Sequence, residues 1–537
     1  MTTDSRIVIV VFVTIKGGIM ASITHHQDKK TGAVYRYSVE SYWDKEKKAP
    51  RNKQIYLGKV DPDTGELIPA RRKKKKTEKS KEPKTVTARV VGSYLLLEQL
   101  SSKLSLTSLI KKCFGEDALI IMSLVYFLVE KGLPLSRVET WSQATLHPVE
   151  DFISSQSVSE LLRNISEDDR QHFFALWMNK ILEKDYLCYD ITSISSYARN
   201  NIYLHWGYNR DGESLEQINL AMLFGQKTRL PVYYRRLPGN ISDVSTLKTT
   251  IKSLDFLGAS TLHLVLDRGF YSKANIDELY RKKYKFTIAV PVGRKWVEKI
   301  MDEHYESISS PQNYLSINDN EALYTATSLY KWGLNNHRLY VHVYYSAEQA
   351  AAHYDAFTRK LIALKQELKA ENYIEKHAKL YERFFTIKET PKRGRKIEFN
   401  DDEIQKYRKR YAGFFCIVSN QLKQAKETLN VYRAKDVVEN CFDDLKNHLD
   451  MKRLRVHSSE AMDTRLFLQF LALIYVSEIR QISKGNDALK YLTVRDIMEQ
   501  LGTLTQVKYA GRYGKLFTET TPLQREIFSA FDISLVT

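Results

Sequence analysis

The period of the apolar residues changes at residue 185, and this change limits the possible folds more than any other feature of the sequence. Strand-like apolar runs then alternate with helix-like segments up to residue 292. The strand-like runs are "DYLCYDIT", "INLAMLFG", "PVYYRRLPG", "LHLVLDRG" and "KFTIAVPV", and the helix-like segments are "DVSTLKTTIKSL" and "KANIDELYRKK". Such alternation is typical of a sheet covered by helices. We therefore predict an α/β layer at the centre of the molecule.

The composition indicates a globular protein with an anionic partner. The chain has 537 residues, with 82 Lys and Arg against 64 Asp and Glu, a net charge of +18 and a pI near 9.3. A polyanionic partner is the natural inference, although ribosome-associated and membrane-surface proteins are also basic. The four cysteines lie far apart without C-x-x-C spacing, which fits a reducing cytosol rather than a zinc or redox site.

Three apolar runs could be mistaken for targeting or membrane segments. The first, "IVIVVFVTI", lacks a strongly basic flank and a cleavage site, so we expect residues 1–19 to be an extension or a misassigned start, with Met20 as the first working residue. The runs "ALIIMSLVYFLV" and "LFLQFLALIYV" are shorter than the ~20 residues of a membrane span. We predict that both are buried helices and that no membrane is involved.

Two carboxylates interrupt the strand-like runs of the predicted layer. Asp190 lies inside "YLCYDIT", and Asp267 ends "LHLVLDRG". A carboxylate at such a position loses hydration, which costs several kcal/mol unless a cation or hydrogen bonds compensate. For either residue alone, a role in a turn or helix cap is an equally good interpretation.

A third carboxylate belongs to the helix-like segment "VYRAKDVVENCFDDLKNHL" (431–449). Beside its apolar face, Tyr432, Lys435, Glu439 and Lys446 share one stripe at about 100° per residue. The alternative interpretation is a solvated flank with a Lys435 to Glu439 ion pair. With the two aspartates, Glu439 completes a set of three carboxylates that suits two Mg²⁺ ions.

Four ordered motifs resemble the bacterial insertion-sequence transposases of the DDE class, which have an RNase H-like catalytic core. They are "YDIT" around Asp190, "LPGNISDVSTL" (237–247), "LDRGFYSKANIDEL" (266–279) and the helix at 431–449. In that helix Tyr432, Lys435, Glu439 and Lys446 match the signature Y-x2-R-x3-E-x6-K, with Lys435 in place of the arginine. Lysine cannot clasp a phosphate with a bidentate fork, so only the positive charge is carried over.

The resemblance implies a fold, a reaction and a set of site residues. Asp190, Asp267 and Glu439 are expected to be catalytic and to hold two Mg²⁺ ions, for which Mn²⁺ can substitute. Tyr432, Lys435 and Lys446 are expected to bind DNA. The expected partners are double-stranded DNA, as element ends and as target, and a second copy of the chain on that DNA.

Further expectations follow from the same resemblance. The expected location is the bacterial cytoplasm, at the nucleoid. Trp296 and Trp332 fall where some relatives stack an aromatic ring on a flipped base, although burial in a core is the commoner use of tryptophan. Two other functions stay open: an RNase H-like nuclease without strand transfer, and a domesticated DNA-binding protein without catalysis.

We therefore expect an α/β fold, an RNase H-like mixed sheet with flanking helices interrupted by an insertion, together with a small β-rich N-terminal module and helical segments. The predicted segments are 1–19, extension; 20–70, β-rich module; 71–87, basic linker; 88–180, helical DNA-binding region; 181–292, first part of the core; 293–412, insertion domain; 413–455, second part of the core with the Glu439 helix; and 456–537, helical C-terminal region. The linker "RRKKKKTEKSKEPK" is either a solvated tether or a contact to the DNA backbone.

Overall fold

The structure, a computed structural model, describes most of the chain. The described residues are 11–12, 21–28, 31–44, 48–69, 86–181, 186–198, 201–256, 262–318, 321–390, 394–409, 411–456, 458–509 and 515–534. The chain divides into two compact units, Met1–Lys84 and Thr85–Thr537. Most of the expected extension 1–19 and of the expected linker 71–87 lies outside the described residues.

The first unit contains a five-stranded antiparallel sheet whose strand order follows the chain. Its strands are β1 (Val11–Phe12), β2 (Ala21–Gln27), β3 (Val34–Asp44), β4 (Ala49–Val60) and β5 (Leu67–Pro69). Aromatic residues alternate with polar ones in β3, as in a strand with two different faces. The rings of Tyr37 on β3 and Tyr56 on β4 lie 5.3 Å apart across the strand pair.

The second unit is built from helices and one large mixed sheet. Its helices are α1 (Gly92–Lys103), α2 (Leu106–Phe114), α3 (Ala118–Lys131), α4 (Val138–Ala144), α5 (Ser155–Asn164), α6 (Glu167–Ile181), α7 (Asp243–Phe256), α8 (Lys273–Arg281), α9 (Lys295–His304), α10 (Ala347–Lys369), α11 (Ala378–Phe384), α12 (Asp401–Lys409), α13 (Ala425–Arg433), α14 (Asp436–Asp443), α15 (Ser459–Lys484), α16 (Val494–Leu501) and α17 (Pro522–Ala530).

The strands described in the second unit form three sheets. They are β6 (Val86–Val90), β7 (Tyr186–Ser196), β8 (Gln217–Gly225), β9 (Pro231–Pro238), β10 (His263–Leu266), β11 (Lys285–Val290), β12 (Tyr314–Asn318), β13 (Glu321–Trp332), β14 (His337–Tyr345), β15 (Phe385–Thr390), β16 (Gly394–Phe399), β17 (Phe414–Ser419), β18 (Arg453–Leu454), β19 (Thr505–Tyr509) and β20 (Lys515–Phe517). The large sheet has the order β12-β13-β14-β17-β11-β10-β7-β8-β9, and β18 pairs with the end of β7.

The centre of the large sheet has a characteristic order and direction of strands. β7, β8 and β9 are antiparallel neighbours, whereas β10 lies parallel to β7 and β11 parallel to β10. In the order of these five strands along the chain, the spatial order is 3-2-1-4-5, which is the arrangement of an RNase H-like core. The predicted α/β fold, with a mixed sheet and flanking helices, is therefore confirmed.

Residues 293–412, which we expected to form an insertion domain, divide into two parts. Strands β12 to β14 continue the main sheet beyond β17, and β17 itself pairs with β11. Helices α10 to α12 and the β15–β16 hairpin instead surround a small separate core that includes Leu361, Leu364 and Phe384. The six strands β17-β11-β10-β7-β8-β9 would thus remain contiguous without this segment.

Helix α15 lies at the centre of the helical layer. By length and composition it could span a membrane, but 83% of its most apolar stretch is buried inside the protein. It packs against α3, where the rings of Tyr126 and Tyr475 lie 5.7 Å apart. The two apolar runs that we predicted to be buried helices are the first twelve residues of α3 and the middle part of α15, and both contribute to the main hydrophobic core.

Candidate active site

The register of two parallel strands brings the first two carboxylates together. The last aligned pair of β7 and β10 is Tyr189 with Leu266. The next residues along the two strands are Asp190 and Asp267. Both aspartates line one narrow cavity, which Lys435 also lines. Although 77 positions separate them in the numbering, the sheet places the two carboxylates side by side.

Asp190 lies within β7, where its carboxyl is largely withdrawn from water. This burial raises the pKa of Asp190 to about 6. The backbone N–H of Ile191 donates to Oδ1 at 2.8 Å and, with the positive charges of Arg210 and Lys435, limits the rise in pKa. The neighbouring charge of Asp267 adds to it. Asp190 is therefore a carboxyl that is costly to ionise in the folded protein.

Asp267 follows β10 and has better hydrogen-bond partners. The phenol of Tyr432 donates to Oδ1 at 2.6 Å, and the ammonium nitrogen of Lys435 lies 3.3 Å from the same atom. Burial alone would raise the pKa of Asp267, but the Tyr432 hydrogen bond and the Lys435 charge lower it. Burial and the Asp267 charge in turn raise the pKa of Tyr432, which keeps the phenol protonated as a donor.

Glu439 joins this group through the same lysine. The Lys435 nitrogen lies 3.4 Å from Glu439 Oε1, and the Glu439 side chain is 62% exposed. Although burial would lower the pKa of Lys435, its acidic neighbours, Asp267 first, raise it. In this structure, the His, Cys, Asp and Glu side chains of the described residues form no group of three or more that is arranged to hold a metal ion. Lys435 instead lies between Asp267 and Glu439.

Lys446, the last residue of the predicted stripe, contacts a different acid. Its ammonium donates to both carboxylate oxygens of Asp211, at 2.8 and 2.7 Å. The segment that we predicted as one continuous helix is interrupted between α13 and α14 and ends in a π-helical turn over Asp444–His448. A π turn closes i to i+5 hydrogen bonds, so it rotates later residues relative to a continuous α-helix. Lys446 therefore faces the loop after β7.

Contacts with the sheet and the helical layer fix α13 and the π turn that follows α14. The amide of Gln226 donates to the Val431 carbonyl at 2.6 Å. Arg480 on α15 forms an ion pair with the buried Asp444, whose pKa burial raises to about 6. Gly132 ends α3 with φ of +56°, and a Cβ there would collide with the His448 carbonyl. The carboxylate and cation side chains are thus held on a rigid support.

Several residues at the site were not found from the sequence. Arg210 and Asp211 lie in the turn-rich segment "GYNRDGESLEQ", and no spacing connects this segment with the helix at 431–449. Arg433, next to the stripe but on another face of the helix, forms an ion pair with Glu321 at 2.5 Å. The turn composition predicts a loop after β7 but does not predict which side chains the loop places beside Asp190.

A large cavity opens next to Asp267 and Tyr432. Its volume is about 800 Å³, and its lining includes Phe357, Tyr407 and Phe414.

The two tryptophans considered for base stacking occupy other positions. Trp332 is buried and donates to Asp277 at 2.7 Å.

Trp296 lies in the same aromatic cluster as Trp332. It donates to the Tyr271 hydroxyl at 2.9 Å, and its ring lies 4.8 Å from that of Tyr330. Both tryptophans therefore serve packing in this structure.

Comparison with known proteins defines the class of the chain. The family model described as "Transposase DDE domain" matches residues 184–475, which is more than half of the chain. This protein therefore belongs to the DDE transposase domain family, and the predicted transposase function is confirmed at this level. A search of curated protein sequences finds no match.

Among solved structures, one similar chain is that of a piggyBac transposase, in a cryo-EM structure of its synaptic complex with hairpin DNA. The identity is 10%, the alignment covers 76% of each chain, and the TM-score is 0.37.

Proposed function

We propose that this transposase binds the ends of its own insertion sequence, cleaves the DNA there and joins the freed ends to target DNA. The observation that carries the proposal is the grouping of Asp190, Asp267 and Glu439 around Lys435, at the centre of an RNase H-like sheet. Membership of the DDE transposase domain family supports it. The catalytic residues in this proposal are the three acids.

The donor set fits hard divalent cations. Asp190, Asp267 and Glu439 offer only carboxylate oxygens, which Mg²⁺ prefers, and the cation of Lys435 already lies between two of them. We propose that these three residues hold two Mg²⁺ ions, with Mn²⁺ as a substitute. When bound, the ions supply the Lewis acidity that activates the attacking oxygen and stabilises the departing one.

The neighbouring side chains have roles of their own in the proposal. Tyr432 holds the Asp267 carboxylate in one orientation through its hydrogen bond. Lys435 and Lys446 bind phosphates beside the cut as point charges. We interpret this stripe as the family signature with lysine at the arginine position. Its residues are Tyr432, Lys435, Glu439 and Lys446.

The proposed partners follow from charge and from the reaction. A net charge of +18 suits double-stranded DNA, both as element ends and as target, because cationic surfaces bind the phosphate backbone. The helices within residues 88–180 are proposed to contact the element ends. An element has two ends to be cleaved, and two copies of the chain would act on them together, so we propose a homodimer on DNA. The proposed location is the bacterial nucleoid, in the cytoplasm.

The proposal can be tested with the purified full-length chain. DNA carrying the ends of its own element is incubated with Mg²⁺, with Mn²⁺ or with EDTA, in the presence of a supercoiled target plasmid. We expect cut ends and joined products with either metal, and neither product with EDTA. Cleavage without joined products would indicate a nuclease, and metal-independent binding without cleavage would overturn the enzymatic proposal.

A further inference from the structure

The π turn at Asp444–His448 is an unusual feature of the segment that carries Glu439 and Lys446. The backbone N–H of Leu449 donates at 2.9 Å to the carbonyl of Asp444, five residues earlier. Such turns are rare and occur frequently at functional sites. Burial of Leu445 and Leu449 does not require the turn, because these two residues would share one face of a continuous α-helix as well. The π turn therefore needs another cause.

The buried side chain of Asp444 supplies this cause. It is 6% exposed and forms an ion pair with Arg480 of α15. A buried ion pair adds little net stability, since lost hydration offsets the attraction, and its best-attested use is to fix the register of packed elements. A cavity of about 50 Å³ remains beside the two side chains, so close packing alone does not hold the turn here. The exit of the turn is fixed separately, because Gln469 donates to the Leu449 carbonyl at 3.1 Å.

The place of the π turn decides the direction of Lys446. In a continuous α-helix, Lys446 would lie within about 20° of Glu439, because seven residues complete almost two turns. In the structure, the Lys446 ammonium instead lies 2.7 Å from Asp211, and only 10% of its side chain is exposed. The Glu439 side chain lies beside Lys435 and is 62% exposed. Glu439 and Lys446 therefore face different partners.

We propose that Asp444 and Arg480 are positioning residues, whose ion pair fixes the place of the π turn and thereby directs Lys446 to the loop after β7. The inference rests on the proposed function, in which Lys446 binds a phosphate beside the cut. Asp444 and Arg480 do not contact that phosphate in this proposal. Their effect on DNA binding therefore passes through Lys446.

The test replaces the ion pair without leaving a buried charge. The double variant Asp444→Leu/Arg480→Met keeps apolar side chains of similar volume, and replacements of this kind often preserve or raise stability. Its urea midpoint should equal or exceed that of the wild type. In gel shifts with element ends in EDTA, the slope of log K against log salt should fall by about one, as for Lys446→Ala. Adding Lys446→Ala to the double variant should change neither the slope nor the affinity further.

The reaction of Lys446 with acetic anhydride, followed by mass spectrometry, reports the position of this lysine without DNA. In the wild type, the contact with Asp211 protects the Lys446 ammonium. The double variant should be acetylated at Lys446 several times faster, as should Asp211→Asn. Lys490, which also pairs with an aspartate, is the matched control and should react at the same rate in all three proteins.

Wild-type acetylation and a wild-type salt slope in the folded double variant would overturn the inference. Arg480→Lys keeps the charge and should behave as the wild type; if it behaves as the double variant does, the ion pair is not what positions the turn. If the double variant does not fold, Asp444→Leu alone decides, because the Arg480 side chain is 32% exposed and can turn to water. A wild-type protein that does not bind element ends would refute the proposed function, while the acetylation rates would still decide the role of the pair.

Discussion

The middle of β7 and the position directly after β10 carry the same residue type in the same site, yet the environments of the two aspartates are opposite. Asp190 is partly buried among β-strand neighbours, and the loss of hydration raises its pKa to about 6. Asp267 receives a hydrogen bond from Tyr432 and the charge of Lys435, and its pKa is lowered. The ionised form of Asp190 therefore destabilises the folded protein, whereas the folded protein stabilises the ionised form of Asp267.

This difference indicates which of the two carboxylates destabilises the fold and is therefore more strongly associated with function. A hydrogen-bonded aspartate at a strand end is common and needs no special explanation. A partly buried aspartate inside a strand, whose acidic neighbour raises its pKa further, is the kind of local conflict that occurs at functional sites. Asp190 is thus the stronger indicator of function, and the following experiments test the contrast between the two residues.

The largest expected effect is common to both aspartates. Asp190→Asn, Asp267→Asn and Glu439→Gln should each reduce Mg²⁺-dependent cleavage of element ends below detection, because each removes a charged oxygen donor. Binding to the same DNA, measured by gel shift in EDTA, should persist or tighten as negative charge near phosphate is lost. Cleavage at the wild-type rate by any of the three variants would remove that residue from the proposed catalytic set.

The second effect separates the two aspartates by stability. Without divalent metal at pH 7.5, Asp190→Asn should stabilise the fold by about 3 kcal/mol, because it removes a carboxyl whose pKa is about 6 instead of its ordinary value of 3.8. The folded state binds this proton more tightly than the unfolded state, so wild-type stability should rise as pH falls from about 7 to about 5. Urea denaturation at several pH values should show a smaller rise for the Asp190→Asn variant, in which only the part due to other groups such as Asp444 remains. An unchanged or lower stability at pH 7.5 would contradict the burial argument.

The third effect is smaller and has the opposite sign. Asp267→Asn should destabilise the fold by about 1 kcal/mol, since it weakens the Tyr432 and Lys435 contacts and the side chain is partly exposed. Denaturation midpoints measured beside Asp190→Asn provide the comparison. Asp487→Asn, at a side chain that is 98% exposed, is the control and should change little. Stabilisation by Asp267→Asn would make the two aspartates equivalent.

Much of the fold could be predicted because its signals are local. The alternation of strand-like and helix-like runs from residue 185 predicted the mixed sheet, and the apolar runs in α3 and α15 predicted buried helices. The three-stranded sheet of β6, β19 and β20 was not predicted: we expected residues 456–537 to be helical. β19 pairs with β6, more than 400 positions earlier in the chain, and no local pattern encodes such a pairing.

The candidate site shows the same limit at the level of single residues. Asp190 and Asp267 could be identified because each breaks an apolar run, but only the strand register shows that they are neighbours. The stripe from Tyr432 to Lys446 assumed a continuous α-helix. The π turn at Asp444–His448 depends on tertiary contacts such as the Arg480 to Asp444 ion pair, so the contact between Lys446 and Asp211 could not be predicted.

The smallest effect concerns the two lysines that differ in their acidic partners. Lys435 contacts the carboxylates of the site, and Lys446 contacts Asp211 on the loop after β7. If each also binds a phosphate, Lys435→Ala and Lys446→Ala should each weaken binding to element ends and reduce the slope of log K against log salt by about one. Lys435→Arg should retain or improve binding, since arginine adds a bidentate contact.

Gel shifts at several salt concentrations measure these slopes. Lys490→Ala is the matched control, because Lys490 also pairs with an aspartate, Asp487, at 2.8 Å, but outside the site. A slope that changes for Lys446→Ala and not for Lys435→Ala would assign the phosphate contact to the loop side of the helix. Lys435 would then serve only to hold Asp267 and Glu439, and its contribution to the lowered pKa of Asp267 would be its main role at the site.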